Sequence, residues 1–185
     1  MSDTVLSSAS LRKWYVLRDL KRPNAKERAW QLLSERYGMD VFTPKKEVVV
    51  SEKGRRVIKE SALIPDLLFV HEARETLDPV VQNTETLQYR FVKGGAPNEA
   101  MTVPERDMER FIAVVSSMSR PEYYSIDDVT PSMRHRRIRI IGGRLNGYEG
   151  YLLSVRGSRK RRLPVELPNL IAASVEVSPE FIQLL

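Results

Sequence analysis

Two histidines, an adjacent pair of aspartates and a glycine pair are the first residues of this chain to suggest chemistry: His71 and His135, Asp127-Asp128, and Gly142-Gly143. The histidines stand far apart in sequence and the chain has no cysteine, so a zinc site or a Cys-His nucleophile has little support in the sequence. They read as strand or surface histidines. Asp127-Asp128 falls in Ser119 to Pro131, a polar and acidic stretch with two prolines, where nothing would hold two carboxyls in a fixed acid-base geometry. The glycine pair is not followed by the Gly-Lys-Ser/Thr of a phosphate-cradling loop. The expectation is a protein that is not an enzyme, with no catalytic residues, no metal site and no cofactor.

Positive charge is the stronger signal. The last 55 residues hold ten Lys and Arg against four Asp and Glu, and the first 130 hold twenty against twenty, so the whole net charge of +6 lies at the C-terminal end. Nine of those ten bases are arginine, whose planar fork matches phosphate. The densest run is Arg156-Gly157-Ser158-Arg159-Lys160-Arg161-Arg162. It reads either as a solvated hairpin loop or as a contact to RNA or DNA phosphates, which needs only clustered charge. Lys21-Arg22 is a second, smaller basic pair. No apolar run approaches the ~20 residues of a membrane span, and the polar, serine-rich start is not of secretory type. A cytoplasmic protein with no membrane partner is expected.

The elements that must position these residues follow from hydrophobic periodicity. Trp14 to Leu17 is a short, wholly apolar run, expected as a central strand buried on both faces. Asn24 with Glu27 three positions on suggests a helix start, and Ala29, Trp30, Leu33 and Tyr37 recur at helical spacing up to Gly38, placed for a left-handed cap. Val41 to Pro44, Leu67 to Val70 and Gln88 to Val92 read as strands. Val48 to Val50 and Val57-Ile58 flank the turn-like Glu52-Lys53-Gly54-Arg55 as a hairpin arm with too few apolar residues to be core. Val103 to Met118, with Pro104 in the first turn, reads as a second amphipathic helix. Beyond the polar stretch, Ile138 and Ile140 alternate with Arg137 and Arg139 as a half-buried strand, four glycines follow, and Tyr151 to Val155 returns as another.

Strand, glycine-punctuated loop carrying Leu145, then Gly147-Tyr148-Glu149-Gly150 into a strand resembles the KOW motif, the small barrel of NusG-type transcription factors and of some ribosomal proteins. Lys13-Trp14-Tyr15-Val16 before a helix, Val41-Phe42-Thr43-Pro44 after it, Ile64-Pro65-Asp66-Leu67-Leu68-Phe69-Val70, Asn83-Thr84 and Phe91-Val92 look, in that order, like the NGN domain of NusG. The resemblance implies an α+β NGN-like domain, an antiparallel sheet covered by helices, followed by a small all-β KOW (SH3-like) barrel. The boundaries read as a flexible tail over 1–12, the NGN-like domain over 13–118, a linker over 119–131 and the KOW domain over 132–185. Pro65-Asp66-Leu67 departs from the Pro-Gly-Tyr or Pro-Asn-Tyr usual in the family, so the chain is more similar to specialised paralogues such as RfaH and the UpxY-type antiterminators of capsular polysaccharide operons.

That family resemblance implies a transcription elongation factor or antiterminator whose NGN-like domain binds the clamp of RNA polymerase, at Tyr15, Ile64, Leu67 and Phe69. Leu67 and Phe69, two apart on a strand, share one face, expected as an exposed apolar patch, unless both faces of that strand are core. The KOW domain is implied to bind a small-subunit ribosomal protein or Rho through Leu145 and Tyr148; Leu145 reads otherwise as a barrel plug. Lys21, Arg22, Arg159, Lys160, Arg161 and Arg162 are the candidate weak contacts to DNA or RNA. The rival reading is a ribosome-associated or RNA-binding KOW protein with no polymerase role.

Overall fold

The structure is a computed structural model that describes residues 11–22, 25–116, 122–124, 134–142, 145–153, 162–167, 170–176 and 182–185, with backbone alone for 122–124, 134–135 and 174–176. It divides into two compact units, Met1–Pro104 and Glu105–Leu185.

The N-terminal unit is built on β1 (Lys13–Asp19), the central strand of an antiparallel sheet. Along one edge β1 pairs with β5 (Leu68–Glu72), which in turn pairs with β2 (Asp40–Phe42). Its other edge is shared by β6 (Leu87–Tyr89), opposite Leu17 to Asp19, and β7 (Thr102–Val103), opposite Trp14 and Tyr15. The apolar run Trp14 to Leu17 is buried throughout, as a strand covered on both faces must be.

Helix α1 (Ala29–Gln31) continues as a π-helical turn over Leu32–Arg36. Helix formation begins later than the Asn24 signal suggests. Asn24 itself lies outside the described residues, and the N-cap is Arg28, whose backbone N–H donates to Gln31 Oε1 at 3.0 Å. The end is where it is expected: Gly38 has φ +64°, and Met39 N–H donates to the Leu33 carbonyl at 3.0 Å. Helix α2 (Arg74–Gln82) was not legible, because Pro79 sits in its interior, where proline removes a hydrogen bond and crowds the preceding turn. Leu77 and Val80 join Ala29, Leu33 and Met39 over Tyr15, Leu17, Leu68 and Val70, so α1 and α2 cover one face of the sheet.

Strands β3 (Lys45–Glu52) and β4 (Arg55–Ala62) form a separate two-stranded ribbon, paired without a break from Lys45↔Ala62 to Glu52↔Arg55. Lys53 and Gly54 both have positive φ, +49° and +77°, the turn whose twist suits a two-residue hairpin.

In the C-terminal unit α3 (Glu105–Ser116) packs on the strands β11 (Arg162–Leu167) and β12 (Ile171–Glu176) and buries Met108, Phe111 and Val114. The sheet runs β13-β9-β10-β11-β12-β8, all antiparallel, with β8 (Glu122–Tyr124), β9 (Arg134–Ile140), β10 (Glu149–Leu153) and β13 (Ile182–Leu184). Its two end strands, β13 and β8, are not paired with each other among the described residues. Two elements thus fall on the other side of the expected boundaries. Helix α3, expected in the first domain, groups with the second unit, and residues 122–124 of the expected linker form β8 on its sheet. The rest of that linker lies outside the described residues. Among the described residues, no helix is long and apolar enough to cross a membrane.

Candidate functional site

The turn entering β5 is held by charge that the sequence pattern did not disclose. Arg28 Nη2 lies 3.0 Å from Asp19 Oδ2, and the two side chains are 11% and 3% exposed. Asp19 also accepts the backbone N–H groups of Lys21 (2.9 Å) and Ala29 (3.0 Å), while Arg28 Nη1 donates to the carbonyls of Lys21 (3.0 Å) and Arg22 (2.7 Å) and its Nη2 to that of Pro65. A single aspartate and a single arginine therefore tie the end of β1, the start of α1 and the Ile64–Leu67 turn together. A buried charge needs this many partners. Thr43 Oγ1, buried, donates to the Leu67 carbonyl at 2.9 Å and fixes the other side of the same turn.

Around that turn stand the residues expected to dock a partner. Leu67 is 2% and Phe69 0% exposed, so the apolar patch expected on this face is not open to solvent. Phe69 lies beside Phe42, ring centroids 6.3 Å apart, and pairs with Val16, itself fully buried. Ile64 is half-buried. Tyr15 belongs elsewhere: it pairs with Val70 and packs with Leu17 and Leu68 under the helices, so β1 alternation puts it on the face opposite Phe69. The four residues are thus not one pocket.

Tyr15 is instead next to a polar cluster. Asp78 Oδ1 accepts from Arg74 Nε at 2.7 Å and from the Tyr89 hydroxyl at 2.8 Å, the Arg74 guanidinium lies 4.6 Å from the Tyr89 ring, and the Tyr15 and Tyr89 rings meet edge to face at 5.8 Å. Burial, then the bond to Asp78, raises the Tyr89 hydroxyl above its ordinary range, and burial raises Tyr15 as well. Neither hydroxyl is a base at neutral pH.

The basic residues divide three ways. Lys21 Nζ donates to the Glu27 carbonyl at 3.0 Å and Arg22 is exposed. Arg159, Lys160 and Arg161 lie outside the described residues, and Arg162 begins β11. Missed altogether was the grouping of Arg18 and Arg90 on Asp66, at 3.4 and 3.3 Å. Only the strand register brings those three together, since Arg18 and Arg90 are far from Asp66 in sequence.

In the C-terminal unit Leu145 packs, half-buried, against Ile138, Ile140 and Leu163, which is the plug arrangement, while Ile141 is exposed. Tyr148 is held from two sides. Its hydroxyl donates to the Pro164 carbonyl at 3.3 Å and Arg110 of α3 lies 5.3 Å from its ring centroid. Burial pushes its hydroxyl pKa up. Gly150 allows a close approach beside it: a Cβ there would stand 2.8 Å from Leu163 Cδ1.

The family model described as "Transcription termination factor nusG" matches residues 12–112, over half of the chain and across both helices of the N-terminal unit into α3. The chain belongs to the NusG family. It is a transcription factor of the NusG type. A solved structure described as "Domain interaction in Thermotoga maritima NusG" is similar at 15% identity and a TM-score of 0.47, covering 93% of this chain and 96% of that one. No curated protein matches.

Proposed function

We propose that this NusG-type factor rides on RNA polymerase in the cytoplasm through its N-terminal unit and binds a second partner through its C-terminal unit. It would act by bridging the polymerase clamp, an equilibrium shift toward the enzyme closed on nucleic acid and not a chemical step. The reading extends to suppression of pausing or termination at particular operons, in the manner of the specialised paralogues, and to a closed KOW barrel whose partner is a small-subunit ribosomal protein or Rho. What supports it above all is the family match over residues 12–112, which takes in β1, the Ile64–Leu67 turn and β5. Docking at Ile64, Leu67 and Phe69 then requires that the buried face be uncovered first. Lys21, Arg22 and the 159–162 run remain the proposed weak contacts to nucleic acid. Affinity purification of the tagged chain decides: recovery of polymerase subunits supports the proposal, and recovery of ribosomal RNA and ribosomal proteins without polymerase replaces it with a ribosome-associated role.

A further inference from the structure

Arg18, Arg90 and Asp66 form a cluster whose charges are only partly met. Arg18 Nη2 and Arg90 Nη2 both reach one oxygen, Asp66 Oδ2, at 3.4 and 3.3 Å. Charge-assisted bonds of this kind close to about 2.7 to 2.9 Å. Arg74 reaches Asp78 at 2.7 Å and Arg139 reaches Glu149 at 2.6 Å in the same chain. Arg90 Nε is buried with no hydrogen-bond partner among the described residues. Two guanidiniums therefore share one carboxylate at long range, and one positive charge is left in excess.

The place of the cluster in the sheet says what could meet that charge. Arg18 pairs with Gln88 and the Arg90 N–H donates to the Val16 carbonyl at 2.9 Å. Strand alternation puts Arg18 on the face of Val16 and Phe69, opposite the face that α1 and α2 cover. Asp66 directly precedes Leu67. Leu67 and Phe69 are closed to solvent, but the side chains of Arg18, Arg90 and Asp66 are 46%, 29% and 38% exposed. A partner that approaches the Ile64–Leu67 turn meets these charges before the buried apolar residues. An arginine fork matches a carboxylate or a phosphate. One excess charge is little for a phosphate chain, whose binding draws on a row of bases, and Arg28, bonded to the adjacent Pro65, is already engaged by Asp19. A single carboxylate fits.

We infer that Arg18 and Arg90 receive an acidic side chain of the protein docked at this turn, and that Asp66 stands in for that carboxylate in the unbound chain. The inference rests on the proposed docking and names the chemistry that the partner must present. Asp66 is then a competitor, so removing its charge strengthens binding, which a merely structural aspartate would not do.

The test follows the Nε–Hε resonances of Arg18 and Arg90 by NMR in the full chain, with a hexaglutamate peptide as probe, beside titrations of purified RNA polymerase core. The peptide should move both resonances in the parent, and at a lower concentration in Asp66→Asn. A part-exposed ion pair is worth up to about fivefold in affinity, so Arg18→Gln with Arg90→Gln should weaken polymerase binding by about threefold to tenfold and Asp66→Asn should tighten it by about threefold. Arg18→Lys with Arg90→Lys, which keeps the charge and loses the fork, should fall between parent and Gln variant. Resonances that the peptide does not move overturn the inference, as does unchanged or weaker binding by an Asp66→Asn protein with a normal melting curve. So does a thymidine hexanucleotide that moves the same resonances at a lower concentration than the peptide. Full polymerase binding by the Gln variant overturns the inference and leaves the proposed function in place. Absence of polymerase binding by the parent, with the peptide response intact, overturns the proposed function and supports the carboxylate-binding pair.

Discussion

Asp19 and Arg28, nine residues apart, meet as a buried ion pair at 3.0 Å and close the first strand onto the first helix and onto the turn before β5. Removing one partner leaves the other charge buried. Arg28→Met or Asp19→Ala should each destabilise the N-terminal unit by about 3 to 5 kcal/mol, and the double variant should lose clearly less than the sum. Urea unfolding of the four proteins measures this, and additive losses would show that the two charges act separately.

A second expectation concerns where the chain can be cut. Helix α3 and strand β8 both belong to the C-terminal unit, the strand through its pairing with β12 and the helix by packing on β11 and β12, with Met108, Phe111 and Val114 buried. Residues 105–185 alone should unfold cooperatively, whereas 131–185, which lacks both, should melt lower or not cooperatively. Equal melting of the two fragments would remove α3 from that unit.

Leu67→Glu discriminates between an open patch and a core. With Leu67 2% exposed, the carboxylate would be buried and the variant should lose several kcal/mol and melt well below the parent. A normal melting curve would mean that this face is open in solution.

Gly150→Ala tests the close approach in the C-terminal unit. The added methyl meets Leu163, a fully buried side chain in the Ile138 and Ile140 cluster, so the neighbour cannot swing into solvent. A loss of about 1 to 3 kcal/mol is expected in thermal unfolding of the chain, with Leu163→Ala in the same background partly relieving the clash.

Glu149 gives the C-terminal unit a defined acid response. Its carboxylate accepts from Arg139 at 2.9 and 2.6 Å and from Arg137 at 3.0 Å, and these bonds hold its pKa below the ordinary 4.5. A depressed carboxylate contributes stability that is full above its unfolded value and is lost as pH falls through the folded one. Melting temperature should therefore decline below about pH 4.5 more steeply in the parent than in Glu149→Gln. Parallel acid limbs in the two proteins would show that the pair contributes nothing.

Much of the fold is legible in the chain itself, for local reasons. The apolar, aromatic and β-branched run Trp14 to Leu17 reads best as a doubly covered strand, Gly38 could take the left-handed cap, and Gly54, at φ +77°, suits the turn in Glu52-Lys53-Gly54-Arg55. Absence of cysteine removed disulfides and thiolate sites without reference to any structure. Helix α2 was hidden because Pro79 opposes the local preference, and the packing of Leu77 and Val80 overrides it. What only tertiary structure decided is which residues share a surface. Register put Tyr15 and Phe69 on opposite faces, burial closed the patch at Leu67, and long-range pairing brought Arg18 and Arg90 to Asp66. Periodicity fixes the alternation of a strand but not which side is covered, because that depends on elements distant in sequence.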